Sequence, residues 1–558
     1  MRDVVTTRTK NKWTAGHSTV HQSSSSTSLL SGTGAPAHRY RKQDIMEKTI
    51  VLYPGLFVSH FVPMMQLADV FLEEGYAVAV ALIDITLDQD VAMAAAVDRV
   101  ASAKPSVTIH RLPRIHNPPT VADDAEALLW YFEIVRRYND QLRDFLCSLQ
   151  QQQQQQPPRS VVHAVIVDAP SVDALDVTKE LGIPAYTFFA SNASAVAVFL
   201  QLPWIRDAEG QQPSFKELGD APVNFSGVPP IPASYLMRET LQDPESEIYK
   251  AMMNAMRRNA EEPDGILVNT FASLEARAVA ALRDTQSIPP GTGSGSGSGR
   301  ARRTPPVYCV GPLVAGAGAE AKEKHECLAW LDRQPERSVV FLCFGSIGAA
   351  THSEEQLREV AVGLRNSGHR FLWVVRAPVR GGGGDTERLF DPRADADLDA
   401  LLPAGFLEGT RDRGLVVKHW APQVEVLGHR ATGAFVTHCG WNSALEGITA
   451  GVPMLCWPMY AEQKMNKLFM VEEAMVGVEM VGWRQGLVGA EEVEAKVRLV
   501  MESEEGDKLR VRVAAYRDAA TVARRAGGSS RAALGRFLSD AGQKVVFDFR
   551  GPPSSPAR

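Results

Sequence analysis

Residues 437–443 read Thr-His-Cys-Gly-Trp-Asn-Ser, and they offer two chemistries. His438 and Cys439 are metal-ligand types. A structural zinc, however, wants about four ligands, usually with a second His/Cys pair nearby, and none follows. The other chemistry is electrostatic. Strand-like GAFVTH runs into a turn at Gly440 and then into a helical pattern, NSALEGITAG. Asn442 or Ser443 is a natural cap for that helix. A helix starting at the carboxyl end of a parallel strand aims amide N–H groups and a positive dipole end at one spot, which suits a phosphate. His438, Asn442 and Ser443 would add hydrogen-bond donors. From this stretch alone, an ordinary capped helix would look the same.

Three other motifs carry less. Gly316-Ala-Gly318-Ala-Glu-Ala321 approaches a dinucleotide fingerprint, but that fingerprint needs an acid at the end of the following strand. The following strand, SVVFLCFGS, ends in Gly345 and Ser346 instead. GGGG at 381–384 has no Gly-Lys-Ser/Thr after it and is no phosphate loop. Asp395-Ala-Asp397 and Asp397-Leu-Asp399 match the DxD by which some glycosyltransferases hold a metal, but they lie in an Asp/Ala-rich loop without a rigid supporting shell.

The elements that must position such a site alternate along the chain. TIVLY precedes MMQLADVFLEEGY; VVHAVIV precedes SVDALDVTKELG and then IPAYTFF; SVVFLCFGS precedes SEEQLREVAVGLRNSGH and then RFLWVV. LVVKHW, GAFVTH and VPMLCW follow. In the 353–367 helix, Ser353 with Gln356 reads as a capping box, and Leu357, Val360 and Leu364 share a face. Strands alternating with helices imply α/β architecture with parallel sheets. The 558 residues suffice for two such domains, divided near VYCVGPL (307–313). A net charge of −6 speaks against nucleic acid or an anionic membrane surface. The six cysteines are scattered, as expected of reduced thiols in the cytoplasm. The most apolar stretch, 185–204, is interrupted by Ser191, Asn192, Ser194 and Gln201, so a buried helix is expected and not a membrane span. Gln150–Gln156, the Gly/Ser run at 291–299 and residues 376–400 read as surface loops. Residues 1–45 lack core-forming composition. They read as a disordered extension with Met46 as an alternative start, or as a plastid transit peptide.

The stretch Trp420–Gln463, WAPQVEVLGHRATGAFVTHCGWNSALEGITAGVPMLCWPMYAEQ, closely resembles the signature box of plant secondary-product glycosyltransferases, which use UDP-sugars. The resemblance runs from Met46 to about residue 541. It implies a GT-B fold: two Rossmann-like domains, 46–313 for the acceptor and 314–541 for the UDP-sugar, with the last helix packing back on the first domain and 542–558 as a tail. Carried onto this chain, Trp420 looks like the indole that stacks on uracil, with Ala421 and Gln423 beside the base. Glu446 would accept from both ribose hydroxyls. His438, Asn442, Ser443 and Ser346 fall where the family grips the diphosphate, and Trp441, Glu462 and Gln463 where it meets the sugar. Residue types agree: an aromatic face suits a planar base, and a carboxylate suits a vicinal diol. Trp441 with Gln463 resembles glucose users, so UDP-glucose is the expected co-substrate, with no metal and no other cofactor.

The acceptor needs a base. His60 sits in the loop after the first strand, at the carboxyl end where α/β active sites lie, and His60 to Pro63 matches the family's His-x-x-Pro. A base near neutral pH benefits from a partner that orients it. Asp168, in VIVDAP, resembles the family's catalytic aspartate. Asp173 and Asp176 fall inside the next helical pattern and are weaker candidates. The expected reaction is direct displacement: His60 deprotonates an acceptor hydroxyl, Asp168 balances the imidazolium, and a β-glucoside forms with inversion. One departure from the family is Ala190, where several relatives carry Thr; Ser191 is the available substitute. The N-terminal text looks most like enzymes acting on flavonoids, chalcones and related phenols, with a pocket built partly from 112–124 and 228–240. The expected form is a monomer. The rivals are a non-catalytic UDP-sugar binder, a nucleotide-dependent oxidoreductase, another UDP-sugar, and C-glycosylation.

Overall fold

The computed structural model describes residues 47–85, 91–119, 127–155, 160–207, 213–284, 304–314, 324–345, 352–378 and 396–548. Residues 1–45, the 291–299 run, GGGG, Gly316–Ala321 and Asp395 lie outside these.

The first lobe is a seven-stranded sheet in the order β3-β2-β1-β4-β5-β8-β9. Its strands are β1 (Glu47–Tyr53), β2 (Ala77–Leu82), β3 (Val107–Arg111), β4 (Ser160–Asp168), β5 (Ala185–Phe189), β8 (Ile266–Val268) and β9 (Val307–Cys309). Between them, β6 (Pro222–Val223) and β7 (Ile231–Pro232) form a small antiparallel pair. The second lobe orders β12-β11-β10-β13-β14-β15. These are β10 (Val339–Cys343), β11 (Arg370–Val375), β12 (Gly414–Lys418), β13 (Thr432–Thr437), β14 (Met454–Cys456) and β15 (Gly477–Glu479). Every pairing in both large sheets is parallel.

Burial on both faces explains why these strands read as unbroken apolar runs. In β1, Ile50 and Leu52 join the core on one side of the sheet, and Val51 and Tyr53 the core on the other. In β10, Phe341 packs on one side, stacked on Phe435 at 5.3 Å, while Val340 and Leu342 pack on the other with Leu357, Val360 and Leu364. The final helix, Ser529–Asp548, lies against the first lobe. Phe537 meets Tyr186 edge-on at 4.7 Å, and Tyr308 donates to Asp540 at 2.6 Å.

Four local expectations need correction. Gln150–Gln155 is helical, the end of Asn139–Gln155, because glutamine is a good helix former and extends the preceding amphipathic turn. The last helix continues past residue 541 to Asp548, so the tail begins later. Within 185–204, a strand (Ala185–Phe189) comes before the buried helix Ala193–Asp207. Ser353 does cap its helix, accepting from the Gln356 amide at 3.1 Å, but no box closes: the Gln356 side chain pairs with the Val488 backbone in both directions at 2.8 Å. Among the described residues no helix is long and apolar enough to cross a membrane.

Candidate active site

Each sheet has a switch point, where successive connections leave to opposite sides and the strand ends open a crevice. In the first sheet it lies between β1 and β4, and in the second between β10 and β13. His60 follows β1 and Asp168 ends β4; Gly345 and His438 follow the second pair.

His60 is not in a loop, as its position after β1 suggested. It is the third residue of the helix Val58–Glu73. Pro63 disguises this start, since proline in a helix normally signals an ending. Its missing N–H has a use. The Ser59 carbonyl, which would accept from residue 63, instead accepts from Asn442 Nδ2 of the second lobe at 2.6 Å. The same helical turn therefore carries the candidate base and one tie between the lobes.

His60 Nδ1 lies 2.9 and 3.0 Å from the two Asp168 oxygens. Asp168 is fully buried as the last residue of β4, and His60 is 29% exposed. The Tyr131 hydroxyl donates to Asp168 Oδ2 at 3.4 Å and bonds Ser171 Oγ at 2.8 Å. Gly55 makes room, since a Cβ there would lie 2.6 Å from the Tyr131 hydroxyl and collide with Asp168. Burial disfavours the imidazolium, but the Asp168 charge, its hydrogen bond and the nearby Glu462 outweigh it and raise the His60 pKa above 6.5. With Nδ1 committed to Asp168, Nε2 is the nitrogen left for a substrate. Asp173 and Asp176 belong elsewhere, both paired with Arg258.

In the second lobe the helix Trp441–Ala450 begins with Gly440 as its cap, not Asn442 or Ser443. Its first intrahelical bond runs from the Ala444 amide to the Gly440 carbonyl at 3.0 Å. The amides of Trp441, Asn442 and Ser443 thus have no acceptor within the helix. His438 sits beside this start, and a Cβ on Gly440 would collide with its Nε2. Burial, helped by Arg376, lowers the His438 pKa to about 4, so the ring is neutral before a ligand arrives. Its Nδ1 and Asn442 Oδ1 are buried without a partner among the described residues.

The remaining candidate residues of the 420–463 stretch are placed as follows. Trp420 is 53% exposed, an indole face open to a planar ligand, with Ala421 buried next to it. Gln423 Nε2 donates to Ser443 Oγ at 2.8 Å and to Glu446 Oε2 at 2.7 Å. Burial pushes the Glu446 carboxyl up to about 7. Glu462 accepts from Ser191 of the first lobe at 3.2 Å. Gln463 Oε1 accepts from the Met459 and Tyr460 amides, so that oxygen holds a turn. The Trp441 indole is 2% exposed and gives its N–H to the Asn269 carbonyl at 2.7 Å. Its ring packs between the lobes, which leaves its amide for a ligand. Ser346 lies outside the described residues. Asp397 caps a short helix, its Oδ1 accepting from the Ala400 amide at 3.2 Å, and among the described residues no His, Cys, Asp or Glu cluster could hold a metal.

Comparison with known proteins agrees with this geometry. Residues 306–505 match the family described as UDP-glucoronosyl and UDP-glucosyl transferase. The chain is 38% identical to an anthocyanidin 5,3-O-glucosyltransferase of a Rosa hybrid cultivar, over 88% of this chain and 98% of that protein. This chain belongs to the plant UDP-glycosyltransferases. It is 37% identical to a phloretin 2'-O-glucosyltransferase of Pyrus communis, over 88% of this glycosyltransferase and 99% of that one. The GT-B fold is shared with Phytolacca americana UGT2 complexed with UDP-2fluoro-glucose and pterostilbene, at a TM-score of 0.73 and 31% identity, covering 89% of this chain and 100% of that one.

Several residues of this glycosyltransferase escape sequence reasoning. Asn192 donates to Asn466 across the lobes at 2.6 Å. Buried Glu275 accepts from the Ala193 and Ser194 amides at 2.9 and 2.8 Å and so fixes the turn that presents Ser191. Tyr131 and Ser59 act through partners far away in sequence. None carries a local signal, because each partner is known only once the chain has folded.

Proposed function

We propose that this enzyme transfers glucose from UDP-glucose to a hydroxyl of a small phenolic acceptor, with inversion and without a metal. The observation that carries the proposal is the opposition of two half-sites at the two switch points: a His60–Asp168 pair on one lobe and a helix start flanked by His438 on the other, tied by Asn442 to Ser59.

In this reading His60 Nε2 takes the phenolic proton while Asp168 stabilises the imidazolium. The phenolate oxygen bonds to the anomeric carbon on the face away from UDP, and the bond from that carbon to the diphosphate breaks. UDP leaves carrying the electron pair. The amides of the 441–443 turn and His438 receive that charge, which is the work a metal would otherwise do. Trp420 stacks on uracil, and ribose hydroxyls donate to Glu446. Glu462, with Gln463, meets the sugar. The anthocyanidin and phloretin enzymes support glucose as donor and a flavonoid-like phenol as acceptor. Both half-sites come from one chain, so a monomer suffices. Six free thiols suit a reducing compartment such as the cytoplasm.

The test is UDP release from UDP-glucose with a panel of flavonoids and chalcones, with and without EDTA. The expected result is acceptor-dependent release, unchanged by the chelator, with a β-O-glucoside as product. UDP binding with no release for any phenol would point to the non-catalytic alternative.

A further inference from the structure

Arg376 is the first residue after β11, which lies beside β10 in the second sheet. It therefore emerges on the same carboxyl edge as Gly345 and His438. Its Nε donates to the His419 carbonyl at 3.3 Å, next to Trp420. Its Nη1 is buried and, among the described residues, has no acceptor. A guanidinium stays charged under all ordinary conditions, so burying one without a counter-ion is unfavourable unless something else supplies the negative charge. Among the described residues no carboxylate helps to set its electrostatics. Burial pulls its pKa down, and among the described residues the Cys343 thiol and Tyr460 hydroxyl oppose that. Tyr460 in turn stacks on His438 at 6.0 Å, which brings Arg376's surroundings to the helix start.

Resting on the donor site proposed above, we infer that Arg376 is a further ligand-contacting residue, its Nη1 donating to a phosphate oxygen of the UDP-sugar and then of departing UDP. Two buried nitrogens around this edge lack partners among the described residues: Arg376 Nη1 and His438 Nδ1. His438 is already assigned to the diphosphate; Arg376 is a fixed cation. A charge-assisted bond to a phosphate gains as negative charge builds on the leaving group.

The test compares UDP and uridine, which share the base and ribose and differ in the diphosphate. Affinities of both are measured for the wild type, Arg376→Lys and Arg376→Gln. The expected result for Arg376→Gln is UDP binding weakened about 10- to 100-fold, with uridine binding unchanged. Arg376→Lys should fall in between, since a point charge replaces the planar fork. Unchanged uridine affinity also reports an intact fold. Equal loss of UDP and uridine would overturn the inference and make Arg376 a support for the His419–Trp420 turn. Wild-type affinity for UDP in Arg376→Gln would also overturn it. Failure of the wild type itself to bind UDP would instead remove the donor-site reading, and this inference with it.

Discussion

His60→Ala will cut kcat by roughly 10³-fold while leaving UDP affinity within about twofold of wild type. The two effects separate because the residue belongs to one half-site only. His60 lies on the first lobe, and its ring bonds Asp168 at 2.9 Å. Uracil, ribose and diphosphate are assigned to Trp420, Glu446 and the 441–443 turn, all on the second lobe. The Asn442 tie goes to the Ser59 carbonyl, a main-chain atom that the substitution retains. Single-turnover kinetics with UDP titration in parallel will check both numbers. A variant that glucosylates as fast as wild type would remove His60 from the chemistry.

Asp168→Asn will lower kcat/KM by roughly 10²- to 10³-fold and move the acid limb of the pH profile to lower pH. The sign follows from the base. His60 works unprotonated, so activity is lost as pH falls through its pKa. In the wild type that pKa is raised above 6.5, because Asp168 outweighs burial. Asparagine keeps the shape and removes the charge. Burial then acts against only Glu462, the weakest of the raising influences, and the midpoint falls. Asparagine can also present its NH₂ to Nδ1 and impose the wrong tautomer, which accounts for the rate loss. A residue that merely packed would lower the rate without shifting the limb.

Some of this was legible in the sequence because it is local. Strands buried on both faces are continuous apolar runs, so TIVLY, VVHAVIV, SVVFLCFGS and GAFVTH announce themselves. The donor box is contiguous, and its helix start follows a strand directly. What could not be read depends on partners distant in sequence. Asn442 and Ser443 have cap chemistry, yet Gly440 is the cap, because Asn442 is held by Ser59 and Ser443 by Gln423. Pro63 hides a helix start, since the carbonyl it leaves free is used by the other lobe. Gln356 looks like half a capping box but is claimed by Val488. Trp441 has the face for a ligand, and the fold spends its indole on Asn269. In each case a tertiary partner outbids the local one.

The most direct measurement is a crystal structure of the enzyme with bound UDP in metal-free buffer. The expected result is a pyrophosphate within hydrogen-bond distance of the Trp441–Ser443 amides and His438, with uracil over Trp420. A pyrophosphate held at Asp397 and Asp399 through a cation, or seated away from this helix start, would contradict it.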